Sequence, residues 1–247
     1  IWYNSTSGTL KGLGFTTASW ASGGNLGATV FGNAGAGTQT AALSMGGHPQ
    51  GRTATEEYNG SSWTAGGNLP AVKRNNAGAG TQTAGLSFGG TPNDGATNEY
   101  NGTSWTTGGA MTNGRFYLAG CGTQTAALAI AGSGPSNKTE EYNGSSWTNG
   151  GNLNTGRRHL AAAGITTAAL AFGGDTPPSG SPGSTPTEQY NGSTWTNTTS
   201  MSVARFAFGG AGIQTAALAF GGQGPPNTAA TEEFTGAAPT TVTLSGS

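Results

Sequence analysis

Ser145-Ser-Trp147-Thr-Asn-Gly-Gly151 is one of five near-identical phrases in the chain, and their spacing decides the fold. The others centre on Trp20, Trp63, Trp105 and Trp195, so the five tryptophans stand 43, 42, 42 and 48 residues apart. Each is followed 27 residues later by the second member of a glycine doublet or its equivalent: Gly47, Gly90, Gly132, Gly174 and Gly222, with Ala131 replacing the first glycine in the third unit. A stretch of 11, 10, 10, 16 or 12 residues then leads to Tyr58, Tyr100, Tyr142, Tyr190 or Phe234, and the first four of these precede the next Trp by five residues. Length variation is confined to that stretch, which is therefore the insertion-tolerant loop. A fixed period of this size marks a repeat architecture in which each unit is one supersecondary element.

Each unit reads as four short strands. Asn-Gly between two β-type stretches, as in Tyr142-Asn-Gly-Ser-Ser-Trp147, predicts a hairpin with a type I′ turn. In the stretch before each doublet, bulky residues alternate with small ones: Leu86 and Phe88 fall on one face, Gly85 and Ser87 on the other. That period of two describes a strand buried on both sides, its bulky face fitted to a neighbour's flat one. A Gly/Ala run precedes it, as at Ala77–Gly80 and Ala119–Gly122. Glycine weakens a strand unless backbones must approach closely, as they do where innermost strands converge on an axis. No stretch carries a helical period, so the expectation is all-β.

A unit of this length, with Gly-Gly after the second strand, Tyr in the third and Trp in the fourth, resembles the kelch repeat of β-propellers over residues 13–236. A basic residue four positions after Leu or Met is also kelch-like: Arg115, Arg157 and Arg205, with Lys73 in one unit and Val30 in another, so that an inter-blade ion pair there is expected to be missing once. Five doublets and five third-strand aromatics make five blades. Trp20 precedes the first doublet and no Trp follows Phe234, so the N-terminal strand around Trp20 is expected to complete the last blade and close the ring. The expected organisation is a connector at 1–12, a propeller at 13–236 and a tail at 237–247, with Thr240–Leu244 as an added strand or contact arm.

Composition agrees once the repeat is seen. The chain has 247 residues, 47 of them Gly and 11 Pro, with only 30 Leu, Ile, Val and Phe. So few large aliphatics usually signal disorder, yet that signature also needs high net charge, and here it is −1. Nine scattered basic residues give no electrostatic footprint for nucleic acid. No run of 18 apolar residues exists to span a bilayer, and a start at Ile1 suggests a processed or excised piece. One cysteine, Cys121, sits at a small inner-strand position and reads as an inert buried thiol. Two histidines in unlike contexts build no zinc cluster or nucleophilic dyad, so neither a metal nor a cofactor is expected, and the Cys, Tyr and His set of a propeller copper oxidase is missing.

Connections in a propeller alternate between two faces. Asn-Gly and Gly-Thr-Gln-Thr turns occupy one; the variable loops and the connections after each Trp occupy the other, the expected binding face. Its candidate ligand residues are His48, Gln50, Arg52, Asn93, Asp94, Asn137, Lys138, Asp175, Gln223 and Asn227, with the insert Thr176–Pro186. All eight glutamates sit at the two positions before an aromatic, and recurrence in each blade favours packing or pairing with the recurring Arg over a glycosidase pair. The five Trp, by their fixed register, read as blade core. Trp2, Phe116, Tyr117 and His159 are the aromatic rings left for stacking on sugars, although the last three also follow the recurring Arg toward an inner strand, where packing is the plainer role.

Ile1–Lys11 reads as a hairpin and looks like a short element of phage tail-fibre and other virion proteins that precedes a receptor-facing module. The phrases Gly-Thr-Gln-Thr-Ala-Ala-Leu-Ala-Phe-Gly-Gly and Thr-Glu-Glu-Tyr-Asn-Gly-Ser-Ser-Trp are similar to repeats in proteins of marine phages. That resemblance implies a non-enzymatic virion fibre or adhesin component, in the virion or outside the cell, that recognises cell-surface glycan. The alternatives are a self-assembling or virion-decorating structural protein joined to other virion proteins or to its own copies through the flanks, and a secreted propeller lectin. Neither nucleic acid nor membrane insertion is expected in any of them.

Overall fold

The computed structural model describes residues 2–4, 9–11, 22–49, 52–91, 94–134, 136–176, 183–224 and 227–236. β1 (Trp2–Asn4) and β2 (Thr9–Lys11) pair antiparallel, the hairpin read from the N-terminal flank. Five antiparallel sheets follow, each in chain order. The first comprises β3 (Ala34–Thr38), β4 (Ala41–Met45), β5 (Thr55–Tyr58) and β6 (Trp63–Ala65); the second, β7 (Ala77–Gly80), β8 (Gly85–Phe88), β9 (Thr97–Tyr100) and β10 (Trp105–Thr107). The third comprises β11 (Ala119–Gly122), β12 (Ala127–Ile130), β13 (Thr139–Tyr142) and β14 (Trp147–Asn149); the fourth, β15 (Ala161–Ile165), β16 (Ala168–Phe172), β17 (Thr187–Tyr190) and β18 (Trp195–Thr198). In the fifth the described strands are β19 (Gly209–Ile213), β20 (Ala216–Phe220) and β21 (Thr231–Thr235). Consecutive inner strands β3, β7, β11, β15 and β19 pack side by side. The architecture is a five-bladed β-propeller, with no helix among the described residues. Trp20, Gln50, Asn93, residues 177–182 of the insert and the tail 237–247 lie outside those residues.

The alternation read from the sequence is what packs one blade on the next. Leu86 and Phe88 of the second blade form one buried cluster with Ala127, Ala129, Tyr142 and Trp147 of the third. Inner strands come close enough that a Cβ on Gly78 would lie 2.5 Å from the Gly35 carbonyl oxygen. The hairpin turn differs from expectation. Gly60 has φ 92° while Asn59 and Ser61 are not left-handed, so glycine takes the first central position, as in a type II′ turn. The reason is the asparagine side chain, whose Oδ1 accepts the Ser61 and Ser62 amides at 3.0 and 2.9 Å and holds Asn59 at the corner instead of the centre. The same cap recurs at Asn101, Asn143 and Asn191.

Polar latches repeat between blades. Three outer-strand indoles donate Nε1–H to a threonine of the preceding blade: Trp105 to Thr55, Trp147 to Thr97 and Trp195 to Thr139, at 2.8–2.9 Å. Three third-strand tyrosine hydroxyls donate to a glutamate of the preceding blade: Tyr100 to Glu57, and Tyr142 and Tyr190 to Glu99 and Glu141 at 2.5 Å. Burial first, then the adjacent carboxylates, push Tyr142 and Tyr190 up to about 12.

Three further glutamates pair with the recurring arginine, but within one blade. Arg115–Glu140, Arg157–Glu188 and Arg205–Glu232 each tie the incoming connection to the blade that follows it, which corrects the expectation of an inter-blade pair. Where the glutamate is Asn98, the cation is Lys73, and Asp94 supplies the carboxylate at 2.8 Å. Where the arginine is Val30, the Glu56 carboxylate still accepts the Gly27 amide, the counterpart of the Thr112, Asn154 and Ser202 amides on Glu140, Glu188 and Glu232. Cys121 is buried, and its thiol is pushed up to about 12 by desolvation.

Candidate functional site

On the variable-loop face the axis opens into a funnel of about 730 Å³ lined by all five blades. Its wall comes from one register position, twelve residues after each repeat tryptophan: Gly32, Asn75, Tyr117, His159 and Ala207. All five have left-handed backbones, with φ of 61, 54, 58, 53 and 50°. Four carry a Cβ, which this conformation disfavours by roughly 1–2 kcal/mol per residue. A chain of backbone hydrogen bonds holds them there. The Asn75 amide donates to Gly32 O, Tyr117 to Asn75 O, His159 to Tyr117 O, and Ala207 to His159 O, at 2.7–3.0 Å. The inner blade ends are thus linked around the axis through one conformation that accepts five unlike contents.

The residue after each glycine doublet is tied to the connection that leads into the funnel wall, and His48 and Gln223 of this set line the opening. His48, Thr91, Ser133, Asp175 and Gln223 donate their amides to Phe31, Arg74, Phe116, Arg158 and Phe206, at 2.7–2.9 Å. One position further inward lie Asn33, Asn76, Leu118, Leu160 and Phe208. The lining is mixed. Blades one and two contribute the amides Asn33, Asn75 and Asn76 together with Phe31 and His48; blades three to five contribute Tyr117, Leu118, His159, Leu160, Phe206, Phe208 and Gln223. Asn76 donates its Nδ2 to Ser87 at 2.9 Å, but its buried Oδ1 has no partner among the described residues. Among the described residues, no Lys, Arg, Asp or Glu lines the funnel.

Two aromatic groups mark the rim. Phe31, 63% exposed, stacks on His48 with centroids 4.6 Å apart and planes 4° from parallel. Opposite, Tyr117 lies 3.8 Å from the His159 ring. His159 Nδ1 meets Asp175 at 2.8 Å, and the other Asp175 oxygen takes Arg158 Nε at 3.0 Å. Burial lowers the His159 pKa in spite of Asp175. The neutral ring donates Nδ1–H to the carboxylate, leaving Nε2 as an acceptor.

Of the loop residues singled out from the sequence, the funnel gathers His48 and Gln223 at its lining and Asp175 behind His159. The rest are dispersed. Arg52 bridges to Lys73, Asp94 neutralises Lys73, Asn137 Nδ2 donates to Leu153 O, Lys138 reaches Asn113, and Asn227 is exposed in its loop. Tyr117 and His159, given a plainer packing role by sequence, line the opening. Their signal was legible: at a constant distance from Trp, the repeats read Phe-Gly-Asn, Arg-Asn-Asn, Phe-Tyr-Leu, Arg-His-Leu and Phe-Ala-Phe where neighbouring positions repeat. Among the described residues no group of three or more His, Cys, Asp or Glu could hold a metal ion, and no helix is long and apolar enough to cross a membrane. No family model matches the chain, and no curated protein does.

Proposed function

We propose that the protein is a non-enzymatic binding module that takes a neutral saccharide in the axial funnel. One observation carries this reading: five positions with the same backbone hold five unlike side chains around one opening, in a chain that otherwise repeats itself. Repetition serves folding; departure from it at a concave surface serves recognition. A sugar ring offers an apolar C–H face and a hydroxyl rim. Tyr117, His159 and Phe206 suit the first, and the amides of Asn75 and Asn76 the second. The Asn76 Oδ1, unpartnered among the described residues, gains a donor from a ligand hydroxyl, relieving a desolvation cost of roughly 1–3 kcal/mol. The lack of charged lining favours a neutral ligand over a phosphate or sulfate.

The phrase similarity to marine phage proteins supports reading this module as part of a virion fibre or adhesin that meets cell-surface glycan. Neither nucleic acid nor an inserted membrane is a partner in this reading. A structural, self-assembling role through the flanks is the second reading, favoured by the N-terminal hairpin β1–β2 that stands before the repeats. A glycan array followed by mapping of the bound sugar separates them. The expected result is a neutral glycan whose binding is lost in Tyr117→Ala. Absence of any binder together with ordered filaments in micrographs favours assembly, and a sugar touching only the Gly-Thr-Gln-Thr turns overturns the choice of face.

A further inference from the structure

Between the fourth and fifth blades lies a cavity of about 250 Å³ whose walls have a counterpart elsewhere in the ring. Between the second and third blades, Trp147 clusters with Leu86, Phe88, Met111, Ala127 and Tyr142, its ring 4.9 Å from Phe88 and its Nε1–H on Thr97. The cavity is lined by Leu170, Phe172, Met201, Ala217 and Phe234, the same register positions, and by Thr187, the counterpart of Thr97. The site is built for an indole. Chemistry names its occupant: each outer strand pairs its Trp with the third-strand aromatic, as in Tyr142↔Trp147 and Tyr190↔Trp195, and β21 presents Phe234 on an edge that no strand among the described residues pairs.

A second observation, on the first blade, fixes where that Trp comes from. At the other junctions the glycine doublet just after Trp settles on the next blade: a Cβ on Gly66, Gly108 or Gly150 would lie 2.6–2.7 Å from the hydroxyl of Tyr100, Tyr142 or Tyr190. Gly23 stands in the same relation to Tyr58, at 2.7 Å, and the Gly24 amide donates to Ser61 O at 3.0 Å. No outer strand of a preceding blade is supplied by the repeats ahead of it; the residue three positions upstream is Trp20.

We propose that Trp20 fills this cavity, paired in register with Phe234 and donating its Nε1–H to Thr187 Oγ1, so that the same molecule's N-terminal segment completes the fifth blade. Three residues reach at most about 11 Å, so Gly23 on the first blade and Trp20 in the fifth hold those blades side by side. The closure covers Leu218, 40% exposed where Leu43, Leu86, Leu128 and Leu170 are at most 2% exposed. It also sets Gly32 beside Ala207, the one pair missing from the chain of backbone bonds around the funnel, and so completes the proposed ligand site.

The test is nuclear magnetic resonance of the full chain, with each indole assigned by substitution. The expected result is a nuclear Overhauser contact between the Trp20 indole N–H and the Thr187 methyl, and hydrogen exchange at Trp20 within about tenfold of that at Trp147. Thr187→Val, which keeps shape and removes the acceptor, is expected to speed Trp20 exchange roughly tenfold and leave Trp147 unchanged. A Trp20 indole that exchanges like a free one, without the contact, overturns the proposal. So does a contact seen only between differently labelled copies in a mixed sample, which would make the occupant a second molecule's Trp20.

Discussion

The junction between blades two and three and the one between blades four and five are built from the same register, yet they are latched differently. Both have the glutamine latch: Gln124 Nε2 donates to Gly85 O and Tyr100 O, at 3.0 and 2.6 Å, and Gln214 Nε2 to Ala169 O and Tyr190 O, at 3.1 and 2.6 Å. Only the first has the tyrosine–carboxylate bond. At the second, Phe234, which has no hydroxyl, takes the tyrosine's place and Gln189 takes the acceptor position where the others have Glu57, Glu99 and Glu141. Donor and acceptor chemistry are absent together. A carboxylate facing a ring that offers it no proton would cost desolvation for no bond, and so would a hydroxyl with no acceptor. The same logic explains Lys73 with Asn98, where Asp94 steps in from the loop.

Emptying the tryptophan slot breaks the better-latched junction most severely. Trp147→Ala removes a side chain 4% exposed and strands Thr97, with an expected loss of about 3–5 kcal/mol in denaturant unfolding. Removing one hydroxyl is the next step down. Tyr142→Phe leaves Glu99 without its donor and is expected to cost about 1–3 kcal/mol, whereas adding Gln189→Glu to Phe234→Tyr creates the missing latch and restores what Phe234→Tyr alone loses.

Alkaline titration reads the same difference without mutation. A tyrosine whose pKa is raised in the folded state holds its proton longer folded than unfolded. Its stabilisation is therefore fully present below pH 10 and drains away as pH rises toward 12, the folded value for Tyr142 and Tyr190. Denaturant unfolding at stepped pH should show that fall, flattened in the Tyr142→Phe variant. The smallest effect belongs to the shared latch: Gln124→Ala and Gln214→Ala are each expected to cost about 0.5–1.5 kcal/mol, equally at both junctions.

Much of this was legible in the sequence. The constant spacings gave the blades, their strands and the packing of Leu86 and Phe88 on Ala127 and Ala129, because a period of two and a fixed register leave little else to choose. The turn type was not legible, since Asn59 could sit at the corner or at the centre of a turn and only its side-chain bonds decide. Nor was the direction of the Arg115–Glu140 pair, because spacing says that two residues recur and not which blade each faces. The loops drew attention for their variability, yet Arg52, Asp94, Asn137 and Lys138 are spread among structural partners. Tyr117 and His159 were masked by their closeness to a buried arginine, while their left-handed backbone turns them to the axis.

Recognition by unlike side chains on a common backbone is tested most directly by making those side chains alike. Asparagine enters left-handed conformations readily, and Asn75 already occupies one of the five positions. A variant combining Tyr117→Asn, His159→Asn and Ala207→Asn is compared with the wild type on a glycan array and in thermal unfolding. The expected result is a melting temperature within about 4 °C of wild type, the shift that about 1 kcal/mol produces in a domain of this size, with the array signal gone. An unchanged array profile in the variant, or no neutral glycan bound by the wild type, contradicts the account.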